Sequence, residues 1–126
     1  MNFPETVKYT RDHEWIRIEG DTGTVGITDY AQGELGDVVF VELPAVGKSV
    51  RQGEAFGTIE AVKAVSDLYA PVSGAVTDVN AAVAATPDAV NKDPYGKGWM
   101  VKIKLSNPGE AASLIDAAAY RALVGK

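Results

Sequence analysis

The sequence "IEAVKAVSDLYAP", residues Ile59 to Pro71, decides the fold of this chain. Two short segments rich in β-branched and small residues flank one lysine, Lys63, and both segments are typical of strands. No glycine, asparagine or proline lies near the middle, so the usual residues of a tight hairpin turn are absent. The reversal must then be imposed by strands that pack on a core. We therefore expect a hairpin whose turn presents Lys63 to solvent.

Similar short segments lie on both sides of this hairpin, separated by turns that contain glycine or proline. In the last segment, Val101, Ile103 and Leu105 share one face, so that face is expected to pack on the core. The pattern predicts a mainly β fold, a sandwich or flattened barrel of short strands with a short helix and a C-terminal helix. The predicted strands are HEWIRI, TGTVGIT, VVFVEL, AFGTIEAV, AVSDLYA, GAVTDVN and GWMVKIKL.

Helical patterns are fewer. "TDYAQGELG" is predicted to form one or two turns that start near Thr28 or Asp29. "AAVAATPDAV" is consistent with a short helix or with a loop, because Pro87 interrupts it.

The clearest helix is predicted at the C-terminus, over about residues 107–124. Asn107 is a suitable N-cap, Pro108 suits the first helical position, and Glu110 stands where a capping box places its glutamate. Apolar residues with helical spacing support the prediction. They are Ile115, Ala119 and Leu123.

Length and composition set broad limits. The chain has 126 residues, enough for one domain over residues 1–126 with its sandwich core at about 8–105. The net charge of −5 argues against nonspecific binding to nucleic acid. No apolar run approaches the roughly 18 residues of a membrane span. No signal or transit peptide is visible, so we expect a cytoplasmic protein, with the mitochondrial matrix after processing as the alternative.

Few residues suit catalysis. The chain has no cysteine and one histidine, His13, so disulfides, thiolate nucleophiles and the usual zinc motifs are excluded. We expect neither a catalytic residue nor a metal site. His13 is expected to be a hydrogen-bonded structural residue, and Trp15 and Trp99 are expected to be core aromatics.

Lys63 needs a separate argument. Exposed lysines in turns usually only interact with water. Catalytic lysines need desolvation to lower their pKa, and an exposed turn does not supply it. If Lys63 is functional, it is therefore a modified side chain that carries an acylated cofactor, with the chemistry supplied by the cofactor.

Longer motifs give a specific resemblance. "YTRDHEWIRIEGDTGTVGITDYAQGELG", "GDVVFVELPAVGKSV", "IEAVKAVSDLYAPVSGAVTDVN" and "NKDPYGKGWMVKIK" closely resemble the H protein of the glycine cleavage system, in order from about Lys8 to Leu105. The resemblance implies a lipoyl-type β-sandwich. It also implies lipoate in amide linkage to Lys63, in the Glu-x-x-Lys-Ala motif from Glu60 to Ala64.

Related carriers differ at the same turn. Biotin carriers typically place methionine beside their lysine, and lipoyl domains of 2-oxoacid dehydrogenase acyltransferases usually place aspartate before it. Here Val62 and Ala64 flank Lys63. The acyltransferase lipoyl domains also lack "HEW" and "PYGKGWM", so the resemblance favours the H protein.

The resemblance implies a shuttle and not an enzyme. Its partners are glycine decarboxylase, which loads an aminomethyl group, the tetrahydrofolate-dependent aminomethyltransferase, which removes it, dihydrolipoamide dehydrogenase and lipoate-attaching enzymes. Lipoylation would change the charge from −5 to −6, since it removes one ammonium. Two alternatives stay open on sequence grounds: a donor that relays lipoate to other enzymes through Lys63, and an unmodified binding domain.

A loaded arm that ends in an amine needs protection from water and a carboxylate partner. Glu14 in "HEW" and Asp67 in "VSDLY" are our candidates for docking the arm. A solvated strand residue at Glu14 and a surface position at Asp67 explain the sequence equally well. Glu34 and Asp37 are placed near the short helix, where they would line the same cleft or face a partner.

Overall fold

Nine antiparallel strands form the body of the protein, in a computed structural model that describes residues 1–126. All seven predicted strands are present, and two further two-residue strands complete the sheets. The strands are β1 (Lys8–Tyr9), β2 (Glu14–Glu19), β3 (Thr22–Ile27), β4 (Val38–Glu42), β5 (Ser49–Val50), β6 (Ala55–Ala61), β7 (Val65–Tyr69), β8 (Gly74–Val79) and β9 (Val101–Leu105).

The strands build two layers, as a β-sandwich requires. Six strands form one sheet in the order β1-β2-β3-β9-β8-β5, and the other sheet has the order β4-β6-β7. A core of 18 buried residues fills the space between them, including Val101, Ile103 and Leu105 as predicted. Ile59 and Leu68 contribute to the same core from β6 and β7. The hairpin around Lys63 is therefore supported by packing, which confirms the sandwich prediction.

The β6–β7 hairpin has one close approach that only glycine permits. Gly57 lies at an irregularity in the pairing of these two strands. A Cβ atom on Gly57 would collide with the backbone oxygen of Glu42 on β4. Because that oxygen belongs to the backbone, it could not move aside easily. The three-stranded sheet therefore depends on glycine at this position.

Short helices connect the strands. The predicted helix is present as α1 (Asp29–Leu35), with Thr28 as its N-cap. The ambiguous segment around Pro87 forms two short helices, α2 (Ala81–Ala85) and α3 (Ala89–Lys92). None of the helices has both the length and the apolar composition that a membrane crossing requires.

The predicted C-terminal helix is present, but its beginning was placed wrongly. Pro108–Ser113 is a 3-10 helix, and α4 begins at Ala117 and ends at Val124. The break falls at Ile115, which pairs with Tyr9 of β1 through two backbone hydrogen bonds of 2.8 and 2.9 Å. This long-range pairing overrides the local helical pattern.

The predicted capping box and apolar stripe are also wrong. Asn107 makes no capping bond, and the carboxylate of Glu110 instead accepts hydrogen bonds from the backbone N and the hydroxyl of Ser73. Leu123 is 42% exposed and Ala119 is exposed. The buried face of α4 is formed instead by Ala117 and Tyr120.

The start of α4 at Ala117 can be tested by substituting its N-cap residue. The side chain of Asp116 accepts a hydrogen bond of 2.8 Å from the backbone N of Ala119, so Asp116 is the N-cap of α4. We expect Asp116→Ala to lower the free energy of unfolding by about 1 kcal/mol in chemical denaturation. Asn107→Ala, which removes the cap that the sequence pattern predicts, should change it by less than about 0.5 kcal/mol. A larger destabilisation by Asn107→Ala than by Asp116→Ala would show that the helix begins at Asn107.

A second buried cluster lies beside the main core and was not expected from the sequence. It joins the N-terminal segment, β2, α4 and the segment after α3. Trp15 is fully buried in it, as predicted, and its Nε1 donates a 3.0 Å hydrogen bond to the backbone oxygen of Pro94. Trp99 is half-buried at its edge, so the prediction of a core aromatic holds for it only in part. The buried members are Val7, Tyr9, Trp15, Tyr95, Ala117 and Tyr120.

Candidate functional site

The turn that joins β6 to β7, residues Val62 to Ala64, is called the tip. The backbone N of Ala61 donates to the oxygen of Ala64 at 2.7 Å, and the N of Val62 donates to the oxygen of Asp37 at 3.0 Å. No tip residue has a positive φ, which explains why the turn needs no glycine. Lys63 is exposed, and its neighbour Val62 is 75% exposed.

The tip lies against the end of α1. Gly36 ends this helix with φ of 78°, and a Cβ atom there would lie 3.4 Å from Cε of Lys63. The aliphatic part of the lysine side chain therefore passes close to the helix end. A side chain at Gly36 would be strained by the positive φ, while its Cβ atom would make only an ordinary van der Waals contact with Lys63.

Asn91 on α3 holds this region together, and sequence reasoning missed it. Its Oδ1 accepts a hydrogen bond from the N of Val38 at 2.9 Å, and its Nδ2 donates to the oxygen of Gly36 at 2.8 Å and to Gln32. These bonds fix the backbone on either side of Asp37, the residue that accepts from the tip. No sequence signal pointed to it, because the segment around Pro87 could not be assigned.

A cleft of about 290 Å³ opens between α1, the start of β2 and the β6–β7 hairpin. One end of the cleft borders Glu34 and Leu35, the residues just before Gly36. The cleft has apolar walls and an acidic rim. Its lining residues are Asp12, His13, Glu14, Ile27, Tyr30, Ala31, Glu34, Leu35, Ile59, Ser66, Asp67 and Leu68.

The cleft brings together residues that are distant in the sequence. Glu14 and Asp67, the two docking candidates, both line it, as does Glu34. Asp37 is exposed and does not line the cleft. Of the two expectations for Asp37, a position in the cleft is therefore wrong, and a surface position that could face a partner fits.

Glu14 is an unusual carboxyl group because it is buried. Only 2% of the residue is exposed, and its Oε atoms accept hydrogen bonds from the hydroxyl of Thr10 at 3.0 Å and from the N of Tyr69 at 3.3 Å. Burial raises the pKa of Glu14 to about 8, although the two hydrogen bonds act in the opposite direction. The solvated-residue interpretation of Glu14 is therefore wrong. At neutral pH the group is largely protonated and close to titration.

Asp67 is the complementary case. Its residue is exposed on β7, opposite Thr58 of β6, and its carboxylate forms no hydrogen bond or ion pair within the protein. The surface interpretation and the cleft position therefore both hold for Asp67. Of the two docking candidates that line the cleft, Glu14 is thus buried and Asp67 is exposed.

His13 is hydrogen-bonded, as expected, but it also lines the cleft. Its Nδ1 lies 2.8 Å from the hydroxyl oxygen of Tyr120, and its ring lies 5.1 Å from that of Tyr30. Burial lowers the pKa of His13, while the nearby carboxylates of Asp12 and Glu34 oppose this shift.

Comparisons with known proteins agree with this geometry. The family model described as "Glycine cleavage H-protein" matches residues 7–126. The chain belongs to this family. It is similar to the glycine cleavage system H protein of Bacteroides fragilis, with 56% identity over 98% of each chain. It is also similar to that of Rubrobacter xylanophilus, with 64% identity over 87% of each chain.

A solved structure supports the same assignment. The crystal structure of a glycine cleavage system H protein from Mycobacterium marinum superposes with a TM-score of 0.90. Its sequence is 43% identical, and the match covers 98% of this chain and 99% of that one. The lipoyl-type β-sandwich expected from the sequence is thus confirmed by a member of the glycine cleavage H-protein family.

The residues present fit the lipoyl group that membership of this family implies. The cleft has an aliphatic wall of Ile27, Leu35, Ile59 and Leu68, which suits the hydrocarbon chain of a lipoyl arm. Its carboxyl groups suit a cationic end. Asp, Glu and His side chains do not cluster anywhere in a way that could hold a metal ion.

Proposed function

We propose that this chain is the lipoyl carrier of the glycine cleavage system, with lipoate in amide linkage to Lys63. The observation that carries the proposal is the position of Lys63. Lys63 is exposed on a tip whose flanking strands pack on the core, and its side chain lies beside Gly36, which follows the cleft-lining residues Glu34 and Leu35. A modifying enzyme could reach the amine, and the modified side chain could then enter the cleft.

The group would supply the chemistry and the chain would supply its placement. A bound lipoyl group provides a dithiolane that accepts an aminomethyl group and electrons. Lys63 would hold it, and the chain itself would catalyse no step. Its partners would be glycine decarboxylase, the aminomethyltransferase, dihydrolipoamide dehydrogenase and a lipoate-attaching enzyme. The named relatives come from bacteria, which fits a cytoplasmic location.

The cleft would protect the end of the arm. The apolar wall would exclude water from the arm, while Glu14 and Asp67 would accept hydrogen bonds from a terminal ammonium. Glu14 could release its proton to become the counter-ion of such a group, because the pKa of its carboxyl is near neutrality. Asp67 would add a second negative charge at the open side.

The proposal is tested by intact mass and peptide mapping of protein isolated from its native cell. We expect one lipoyl mass increment, on the peptide that contains Lys63. An unmodified Lys63 in native protein, measured while other lipoyl proteins of that cell carry lipoate, would overturn the proposal and favour an unmodified binding domain. An increment on a different lysine would overturn the site alone.

Asp67 can be tested through the stability of the loaded carrier. We expect Asp67→Asn to speed the spontaneous release of ammonia about threefold, measured after incubation with glycine and glycine decarboxylase and then removal of that enzyme. The effect is modest because Asp67 is exposed and ion pairs with water access are weak. Asp78→Asn is the matched control, since Asp78 is exposed on β8 and does not line the cleft. Equal rates in both variants would remove Asp67 from the docking site.

A further inference from the structure

His13 is held in an unusual conformation in the cleft wall. It is the one residue other than glycine with a positive φ, 73°, a conformation in which histidine is enriched but still uncommon. Its backbone is fixed by a 3.2 Å bond from its N to the oxygen of Thr10 and a 3.0 Å bond from the N of Thr28 to its oxygen. Strained residues that the surrounding structure holds in place are concentrated at functional sites.

A chain of hydrogen bonds leads from the buried side to the His13 ring. The hydroxyl oxygens of Thr28 and Tyr120 are 2.7 Å apart, and the Tyr120 hydroxyl is 2.8 Å from Nδ1 of His13. Both Thr28 and Tyr120 are fully buried, so water does not reach these hydroxyl groups. The protons must therefore be placed among the three side chains.

One direction of this chain satisfies every proton. Thr28 caps α1 by accepting a hydrogen bond from the N of Ala31, so its own hydroxyl proton needs an acceptor, and the oxygen of Tyr120 is the one in reach. The Tyr120 proton then goes to Nδ1 of His13. The opposite direction would leave the Thr28 proton buried without an acceptor, which is costly.

The direction fixes the tautomer. If Nδ1 accepts from Tyr120, a neutral imidazole carries its proton on Nε2, on the far side of the ring. Nε2 makes no hydrogen bond within the protein, and His13 lines the cleft. Protonation of Nδ1 would in addition displace the Tyr120 proton from this nitrogen.

We propose that His13 is a third arm-binding residue, which donates a hydrogen bond from Nε2 to an acceptor atom of the docked arm, and that Tyr120 and Thr28 act as positioning residues that fix this tautomer. The acceptor would be an amide oxygen or a sulfur. This inference rests on the proposed function. It assigns different parts of the arm to different residues of the cleft. Glu14 and Asp67 receive a cation, while His13 serves the uncharged part of the arm. The C-terminal helix thereby acquires a role in the cleft, although Tyr120 does not line it.

The tautomer can be measured directly because the chain has one histidine. In nitrogen-detected NMR of the ¹⁵N-labelled, unlipoylated protein at neutral pH, we expect the proton on Nε2. Tyr120→Phe keeps the ring that stacks on Tyr9 and removes the hydroxyl; it should reduce the preference for this tautomer about fivefold. Tyr9→Phe is the matched control, because the Tyr9 hydroxyl bonds to Pro4 and not to His13. A proton found on Nδ1, or a tautomer ratio that Tyr120→Phe leaves unchanged, would overturn the proposal.

A pH titration of the same samples tests the direction of the hydrogen bond independently, through the sign of the change in the pKa of His13. Tyr120→Phe should raise the pKa of His13, because it removes a donor that favours the neutral ring. A lowered pKa would mean that Tyr120 accepts from His13 and would overturn the proposed direction. Apart from the Tyr120 hydroxyl, the carboxyl and phenol groups around the ring are the same in the wild type and in Tyr120→Phe. They are Asp12, Glu14, Tyr30, Glu34 and Asp67.

Contact with the arm is tested on lipoylated protein. His13→Asn tolerates the positive φ and keeps a polar atom near Nδ1, but it has no atom at the position of Nε2. We expect the reduced arm of this variant to be alkylated by iodoacetamide about fivefold faster than that of the wild type, with Tyr9→Phe unchanged. An equal alkylation rate would exclude His13 from arm binding.

The two proposals can fail separately. The NMR measurement uses unlipoylated protein, so its outcome does not depend on Lys63. A modified Lys63 combined with a proton on Nδ1 would defeat the role of His13 and leave the carrier function intact. An unmodified Lys63 in the native protein would defeat the carrier function, whatever the tautomer.

Discussion

Lys63→Arg is expected to abolish the lipoyl mass increment and all transfer of glycine-derived groups by this chain. The guanidinium of arginine stays protonated and does not form the amide bond that lipoate attachment requires. The substitution keeps the positive charge at an exposed tip, so we expect the free energy of unfolding to change by less than about 0.5 kcal/mol. The measurements are intact mass after incubation with a lipoate-attaching enzyme, and glycine decarboxylation in the reconstituted system.

Lys48→Arg is the matched control for this experiment. Lys48 is also exposed, in the turn before β5, and it is remote in sequence from the Glu60 to Ala64 motif. This variant should accept lipoate and support decarboxylation like the wild type. An increment that persists in Lys63→Arg would place the modification elsewhere, and an increment lost in both variants would point to a folding defect that denaturation curves would show.

The position of the tip was predictable because strand-like segments lie directly on both sides of Lys63, which left one economical position for the reversal. What holds the tip was not predictable, since the bond from Val62 to Asp37 and the support from Asn91 join segments far apart in the sequence. Periodicity locates a strand, but it does not say which distant polar group meets it.

The cleft shows the same limit. Glu14 and Asp67 were chosen from sequence motifs, and the structure brings both to one cleft. The burial of Glu14 was not predictable, because its carboxyl group meets the backbone N of Tyr69, which is far away in the sequence. The C-terminal prediction failed for a related reason. Asn107 and Glu110 have the spacing of a capping box, but Glu110 bonds to Ser73 and Ile115 pairs with Tyr9. Tertiary partners outweighed a local pattern worth about 1 kcal/mol.

Glu14→Gln is expected to stabilise the protein at alkaline pH and to remove much of its pH dependence. The pKa of Glu14 is about 8 in the folded chain and 4.5 as the ordinary value, because burial disfavours the charged form. Between these values the folded state binds more protons than the unfolded state, so the wild-type free energy of unfolding falls as the pH rises. The loss is roughly 1.4 kcal/mol per pH unit, or about 4 kcal/mol between about pH 5 and about pH 8. Glutamine does not titrate and escapes this loss.

The experiment compares chemical denaturation of wild type, Glu14→Gln and Glu19→Gln at several pH values. Glu19 lies on the same strand but is exposed, so its variant should follow the wild type. Taking differences between variants cancels the titration of His13. A wild type and a Glu14→Gln variant that keep a constant difference from about pH 5 to about pH 8 would show that Glu14 is ionised in the folded protein. Glutamine can accept from the N of Tyr69 through its oxygen, but its NH₂ group cannot replace the oxygen that accepts from the Thr10 hydroxyl. The lost bond would shift the stability of the variant by the same amount at every pH, so only the pH-dependent part of the difference reports the titration of Glu14.

The same variant separates stability from function. If Glu14 serves only the fold, the more stable Glu14→Gln protein should hold its loaded arm as well as the wild type does. If the buried carboxyl is the counter-ion of a docked ammonium, the variant should release ammonia about tenfold faster, because a buried charge-assisted hydrogen bond contributes about 1.5 kcal/mol or more. Glu14 would then lower the stability of the protein above neutral pH but protect the arm, so the carrier function would explain why a destabilising residue is present. Greater stability with unchanged ammonia release would leave the burial of Glu14 without a functional explanation.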